Sequence, residues 1–193
     1  MEHRDHVGLI RAGVEGAGAH WLELGAGEGA FTLALADLLG PAAEIVALDR
    51  DASALRRLAA VLPARFPGRR LRTVAGDMRD ALPDGPFDGV LAANSLHFLD
   101  DPVAVLRRVA AVLRPGGRLV LVEYDADEGN RWVPHPFSSG RFAALAGAAG
   151  LRDPHEIGRV PSRFLGAIYA ASAERPGPEP VLHSAPHGED REE

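Results

Sequence analysis

The chain has 193 residues, room for one domain around a single core, and 46% apolar with 25% charged residues excludes a disordered chain. Its 21 basic residues are all arginine against 27 acidic ones, net −6, which argues against a phosphate-tracking nucleic-acid surface and removes lysine Schiff-base and P-loop chemistry. The absence of cysteine removes disulfides, thiolate nucleophiles and Cys-ligated zinc.

From the N-terminus, residues 5–14 form an amphipathic stretch with Val7, Leu9, Ile10 and Val14, either a helix folding over a ligand or a packing helix. Strand candidates follow at 20–24, 44–48, 70–75, 87–92 and 118–123, the last reading Leu-Val-Leu-Val. Helix candidates lie between them at 30–39, at 51–62 (Asp51 or Ser53 as cap, Pro63 near the stop) and at 101–113, which leaves through Arg114-Pro-Gly-Gly. A polar loop, a helix at 139–149 and strands at 155–160 and 164–171 complete the pattern. Strands alternating with helices predict a parallel sheet covered on both faces. The domain is expected over 1–173, with 1–18 as an N-terminal helical segment; 174–193, rich in Pro, Gly, Glu and His without periodicity, reads as a disordered tail. No run reaches the roughly 18 apolar residues that span a bilayer, and the N-terminus lacks a basic-then-apolar signal, so the expectation is a cytoplasmic protein without a membrane partner. Arg65, Arg69, Arg70 and Arg72 read as a solvated face.

The strongest local signal is Trp21-Leu-Glu-Leu-Gly-Ala-Gly-Glu-Gly-Ala-Phe. Gly25, Gly27 and Gly29 follow a buried strand and open a helix, allowing a tight turn and close approach of a ligand, with Ala26 inside the turn. The spacing Gly-x-Gly-x-Gly differs from the dinucleotide fingerprint Gly-x-Gly-x-x-Gly. Glu23, two residues before the first glycine, would repel a pyrophosphate at close range and suits a cationic ligand end. Asp49, ending the second strand with Arg50 after it, suits a ribose diol through charge-assisted hydrogen bonds, or else caps a helix. Asp77-Met78 closes the third strand, and Asn94-Ser-Leu-His97-Phe follows the fourth.

Glu-Leu-Gly-x-Gly-x-Gly resembles the first motif of the class I S-adenosylmethionine (SAM)-dependent methyltransferases, and the later segments follow in that family's order over about residues 20–172. Asn94-Ser-Leu-His-Phe, Val122-Glu-Tyr-Asp, Asn130-Arg-Trp-Val-Pro-His-Pro-Phe and Ser162-Arg-Phe-Leu-Gly-Ala-Ile-Tyr are similar to a subgroup of small bacterial members. The resemblance implies a Rossmann-like doubly wound sheet in the order 3-2-1-4-5-7-6 with strand 7 antiparallel. It implies SAM as cofactor, with Glu23 near the aminoacyl part, Asp49 on the ribose, Asp77 on the adenine amino group, the amide of Met78 on a ring nitrogen, and Asn94 lining both cofactor and acceptor.

Methyl transfer from a sulfonium needs chiefly an in-line approach, and a base only where the acceptor loses a proton. His97 is the candidate base, since imidazole titrates near neutrality; it reads equally as a half-buried histidine beside Phe98. Tyr124 and Asp125 are candidates to orient the acceptor, or a strand-end cap. The loop with Trp132, His135 and Phe137 either walls the acceptor site or is pinned onto the sheet by its aromatic residues, and Arg163 is a candidate for an anionic acceptor. The eight histidines are scattered, none forming a His-x-x-x-His pair with a nearby carboxylate in a helix, and no metal is expected. The expected partner is a small-molecule methyl acceptor of unspecified atom; oligomeric state is not readable. Two alternatives stay open: an NAD(P)-dependent oxidoreductase, which shares the glycine turn and Asp49 but lacks a Tyr-x-x-x-Lys pair, and a SAM-binding protein without catalysis.

Overall fold

A computed structural model of the chain describes residues 1–177. In chain order these form α1 (His3–Val14), β1 (His20–Leu24), α2 (Ala30–Leu39), β2 (Glu44–Asp49), α3 (Ala52–Arg65), β3 (Arg70–Ala75), β4 (Phe87–Ala93), α4 (Pro102–Val112), β5 (Leu113–Tyr124), α5 (Ser139–Ala148), β6 (Arg152–Pro161) and β7 (Ala167–Glu174). The seven strands make one sheet in the order β3-β2-β1-β4-β5-β7-β6. β7 runs antiparallel to β5 and β6, and the other pairings are parallel. The doubly wound architecture and strand order expected from the sequence are therefore the observed ones.

Alternation along the strands sorts side chains onto two cores. On one face Trp21, Ile45, Leu91 and Val120 meet α1, α2 and α3 through Ile10, Leu35 and Leu58; on the other, Leu22, Val90 and Leu121 meet α4 and α5 through Leu106 and Phe142. Of the two readings of the N-terminal stretch, the packing helix is the one seen: α1 buries Val7, Leu9, Ile10 and Val14 in the first core.

Four of the boundaries that differ from the sequence reading have a clear local reason. Helix α3 continues past Leu62 to Arg65 with Pro63 inside it; the proline removes one donor, but Leu62 is fully buried and accepts from the Phe66 amide, closing the last turn. Strand β5 starts at Leu113, because Arg114-Pro-Gly-Gly is a bulge within the strand: Phe87 pairs with Leu113, and two residues later Gly89 pairs with Arg118. Arg114 fixes this bulge by donating to Asp88 at 2.6 Å. Strand β7 begins at Ala167, three residues later than expected. Ser162 Oγ accepts from the amides of Phe164 and Leu165, and Ser162 N donates to the Gly166 carbonyl, so Arg163 and Phe164 stand in a hairpin turn. At its other end β7 reaches Glu174, and Arg175 still exchanges backbone hydrogen bonds with Gly116 and Gly117. The proposed tail from 178 onward lies outside the described residues.

Three of the four arginines at 65–72 have structural partners. Arg65 and Arg69 sit over the Phe66 ring, each 5.4 Å from its centroid, and Arg70 pairs with Glu44 across the β2–β3 edge. Among the described residues no helix is long and apolar enough to cross a membrane.

The centre of the sheet tolerates little added volume. Trp21 is fully buried, its indole N–H donates to the Gly18 carbonyl, and a Cβ at Gly89 on the adjacent strand would enter the indole ring. Gly89→Ala should lower unfolding free energy by about 1 to 3 kcal/mol through overpacking, read by urea denaturation at 25 °C.

Candidate active site

The carboxyl ends of β1 to β4 enclose a cleft of about 470 Å³, in the size range of small-molecule and cofactor sites. Six sequence-derived positions line it: Gly25, Asp49, Arg50, Asp77, Met78 and Asn94. The sequence reading missed Arg79, Ser95, Phe98 and Leu99, which also line it. Arg79 lay two positions from a recognised motif residue, and Ser95 and Phe98 lay inside a quoted motif.

Local chain geometry explains this convergence. After β1 the backbone amides of Gly25 and Ala26 both donate to the Leu48 carbonyl, tying the glycine turn to β2. Gly25 has φ +71°, and a Cβ there would stand 2.5 Å from Ser95 Cβ, so the turn and the loop after β4 close on each other only with glycine at 25. Asp49 holds the next part of the turn: Oδ2 accepts from Gly27 N at 2.7 Å and Oδ1 from Asp51 N at 2.7 Å. Asp51, in turn, caps α3 by accepting from Ser53 N and Ala54 N. The capping role weighed for Asp49 thus belongs to Asp51, and Asp49 faces the cleft.

Glu23, Ala26, Gly27 and Gly29 do not line the cleft. Gly29 instead brings α2 against Leu58. Glu23 lies on the core side of β1, 2% exposed, with Oε2 accepting from Thr32 Oγ1 at 2.5 Å. Burial pushes its carboxyl up to about 8, opposed by the Thr32 hydrogen bond and aided by the Asp49 charge. Contrary to the expectation from sequence, Glu23 is largely neutral below that value and does not repel a phosphate as an exposed carboxylate would. Because the folded-state value lies above the ordinary 4.5, Glu23 contributes fully below pH 4.5 and progressively less up to about pH 8. Glu23→Gln should therefore gain stability relative to the parent as pH rises through that window. A difference of a few kcal/mol is expected between urea midpoints converted at pH 4.5 and pH 8; a pH-independent difference would mean that Glu23 is already ionised in the folded protein.

Asp77 is drawn down to about 2, first by the guanidinium of Arg79 and next by the Arg79 amide. The contacts are Arg79 Nε to Oδ1 at 3.0 Å and Nη2 to Oδ2 at 2.6 Å, with Arg50 Nη1 at 3.9 Å from Oδ2. Asn94 carries two signals of its own. Its φ is +50°, uncommon for a non-glycine residue, and its Oδ1 is buried without a hydrogen-bond partner. An unpaired buried acceptor in a cleft wall asks for a donor from a ligand.

Beside the cleft, His97 is 3% exposed and Glu123 is fully buried, with His97 Nδ1 2.7 Å from Glu123 Oε2. The other Glu123 oxygen accepts from three successive amides: Ser95 at 3.1 Å, Leu96 at 2.9 Å and His97 at 3.2 Å. With Oε2 as acceptor, Nδ1 carries the ring proton and Nε2 presents its lone pair, making no hydrogen bond among the described residues. Glu123 was not singled out from the sequence, although it lies in a quoted segment; the signal was an acid in the fully apolar run of β5.

The remaining candidates divide. Tyr124 is part-buried and its phenol is raised by burial, so near neutral pH it is a donor rather than a base. Asp125 is a strand-end anchor, accepting from Arg159 at 2.5 Å and Ser139 N at 2.9 Å. In the 125–138 loop Val133 and Phe137 pin the chain onto the sheet, each 2% exposed, while Trp132 points outward at 59%. His135 is exposed and touches the site through its backbone, its amide donating to the His97 carbonyl at 2.9 Å. Arg163 is exposed on the β6–β7 hairpin. Among the described residues no cluster of three or more His, Asp or Glu side chains is placed to hold a metal ion.

Comparison with known proteins adds to this geometry. A family model described as a methyltransferase domain matches residues 22–121. A ubiquinone/menaquinone biosynthesis C-methyltransferase from Hahella chejuensis is 35% identical over 139 residues, covering 71% of this chain and 55% of the relative. A carboxy-S-adenosyl-L-methionine synthase from Chromohalobacter salexigens is 36% identical over 134 residues, covering 66% of this chain and 49% of the relative. The chain thus spans about half the length of these curated relatives. Among solved structures, the 1,6-didemethyltoxoflavin-N1-methyltransferase of Burkholderia thailandensis, with bound 1,6-didemethyltoxoflavin and S-adenosylhomocysteine, superposes with TM-score 0.72 and 26% identity, covering 90% of this chain and 78% of that one.

Proposed function

The chain belongs to the class I SAM-dependent methyltransferases, and from that premise we propose that it methylates a small-molecule acceptor whose reacting atom gives up its proton to His97. The observation that carries this reading is the buried Glu123–His97 pair, 2.7 Å apart at the carboxyl end of the sheet and beside the cleft. The small-molecule acceptor is supported by the toxoflavin relative, which holds both its acceptor and S-adenosylhomocysteine.

The cleft's chemistry fits SAM. Asp49 keeps lone pairs on both oxygens beyond the two amides they already hold, enough to receive a vicinal diol. The orphan Asn94 Oδ1 suits the ammonium of an aminoacyl group. Asp77, after giving up part of its contact with Arg79, would accept the adenine amino group, and Met78 and Leu99 flank it with apolar surface. Glu23 acts one layer lower, steadying the turn through Thr32.

When bound, SAM supplies a methyl group on a positive sulfur that departs as a neutral thioether. The protein's share is orientation and proton removal. Glu123 fixes the tautomer of His97, so that Nε2 takes the acceptor's proton as the new bond to methyl forms. Tyr124 keeps its phenolic proton and is placed to donate to the acceptor. Trp132, His135 and Arg163 belong to the acceptor side.

Two measurements test this reading. Calorimetric titration should show SAM and S-adenosylhomocysteine binding, with no binding of NADH, and Asp49→Ala should weaken both ligands by about 1.5 to 3 kcal/mol. NADH binding without SAM binding would return the chain to the oxidoreductase alternative. Glu123→Gln should leave SAM affinity within a few-fold of the parent yet lower kcat by about 10² to 10⁴. Its amide oxygen keeps the three backbone donors while its NH2 faces His97 Nδ1, which moves the ring proton onto Nε2. Unchanged turnover in this variant would remove His97 as the base.

A further inference from the structure

Phe98, Trp132 and Phe164 are 55%, 59% and 49% exposed, and they are not scattered. From His97 the ring centroids step to Phe98 at 4.3 Å and, on the other side, to Tyr124 at 5.9 Å. Tyr124 lies 5.9 Å from Phe164, and Phe164 lies 5.8 Å from Trp132. Four separate segments supply these rings: the loop after β4, the end of β5, the 125–138 loop and the β6–β7 hairpin. The exposed rings are held outward by built turns. Asn130 Oδ1 accepts from Trp132 N at 2.9 Å and Val133 N at 3.0 Å, and Ser162 Oγ accepts from Phe164 N at 3.0 Å. The result is an open aromatic shelf with the candidate base in its row and Phe98 joining it to the cofactor cleft.

The rim of the shelf is cationic. Arg131 lies over the Trp132 ring, 4.7 Å from its centroid, and Arg163 precedes Phe164 in the hairpin. Neither pairs with a carboxylate among the described residues, whereas Arg141 and Arg159 nearby do. Both guanidinium groups thus stand beside the rings with their charge free to meet a ligand. Aromatic faces attract flat π-systems, and guanidinium groups attract carboxylates.

Resting on the methyl-transfer reading above, we infer that the acceptor is a planar aromatic anion: its ring lies on the Tyr124, Phe164 and Trp132 shelf, its ionised group meets Arg131 and Arg163, and its reacting hydroxyl or amine points to His97. A second copy of the chain is a poorer occupant, because a two-fold contact through this patch would bring the arginines of both copies together. A lipid surface is also poorer, since the shelf is a single row of rings continuous with a small-molecule cleft.

The test is calorimetric titration of the full chain, saturated with S-adenosylhomocysteine, using 6-hydroxy-2-naphthoate, 2-naphthol and decanoate. Three proteins are compared: the parent, Trp132→Ala/Phe164→Ala and Arg131→Gln/Arg163→Gln. Hydroxynaphthoate should bind at least tenfold more tightly than decanoate, and the first double variant should lose at least tenfold of that affinity. The second should narrow the gap between hydroxynaphthoate and 2-naphthol. In the first variant Trp21, fully buried, is the remaining tryptophan, so emission to the blue of the parent's shows an intact core. Decanoate binding as tightly as hydroxynaphthoate, insensitivity to both double variants, or self-association of the parent that Trp132→Ala abolishes would each overturn the inference. If S-adenosylhomocysteine binds normally alongside such a result, the acceptor class alone is wrong; if it does not bind, the methyl-transfer reading falls as well.

Discussion

One side chain, Glu123, organises the functional end of this molecule. Its two oxygens receive three consecutive backbone amides and one imidazole nitrogen, in a position without solvent. Buried donors and acceptors without partners are costly, and here a single carboxyl group satisfies four donors from the loop after β4. That arrangement forces the loop into a short 3-10 turn at Leu96–Phe98, which sets where Asn94, Ser95 and Phe98 stand in the cleft and where His97 stands beside it. Cleft wall and candidate base are thus positioned by the same group, so neither can shift without the other.

The division of labour between strands follows from this constraint. β1 and β2 deliver the glycine turn and Asp49, while β4 and β5 deliver the Glu123-bound loop. Ser95 Oγ joins the two halves by donating to the Leu24 carbonyl at 2.9 Å. The contact is possible because glycine at 25 leaves room for Ser95. The β6–β7 hairpin lies outside the cleft lining and carries Arg163 and Phe164 as exposed cationic and aromatic surface.

What was readable from sequence depended on how local its cause was. The strands and the glycine turn were legible because alternation and the Gly-x-Gly-x-Gly spacing are encoded within a few residues. So were Asp49, Asp77 and Asn94, which end strands and inherit the sheet's geometry. The role of Glu123 was not legible, since its partners lie 26 to 28 positions away and only the folded sheet brings them together. Glu23 looked like a ligand-facing charge because sequence carries no burial; in the fold it faces Thr32 and is raised by desolvation. Phe164 read as strand because its neighbours are apolar, but the Ser162 turn outweighs that pattern and turns the ring outward. The early start of β5 escaped because Pro-Gly-Gly marks bulges as well as turns.

Asp49 carries a consequence of a different kind. Each of its oxygens already holds an amide, one from the glycine turn and one from the approach to α3. The carboxylate that suits the ribose is therefore also a strut between two segments of backbone, and its rotamer is settled before any ligand arrives. Little side-chain freedom remains to be lost on binding, which favours affinity. The same economy leaves the protein brittle at this point: a change at position 49 that alters the cleft also alters the joint that holds the turn to the helix.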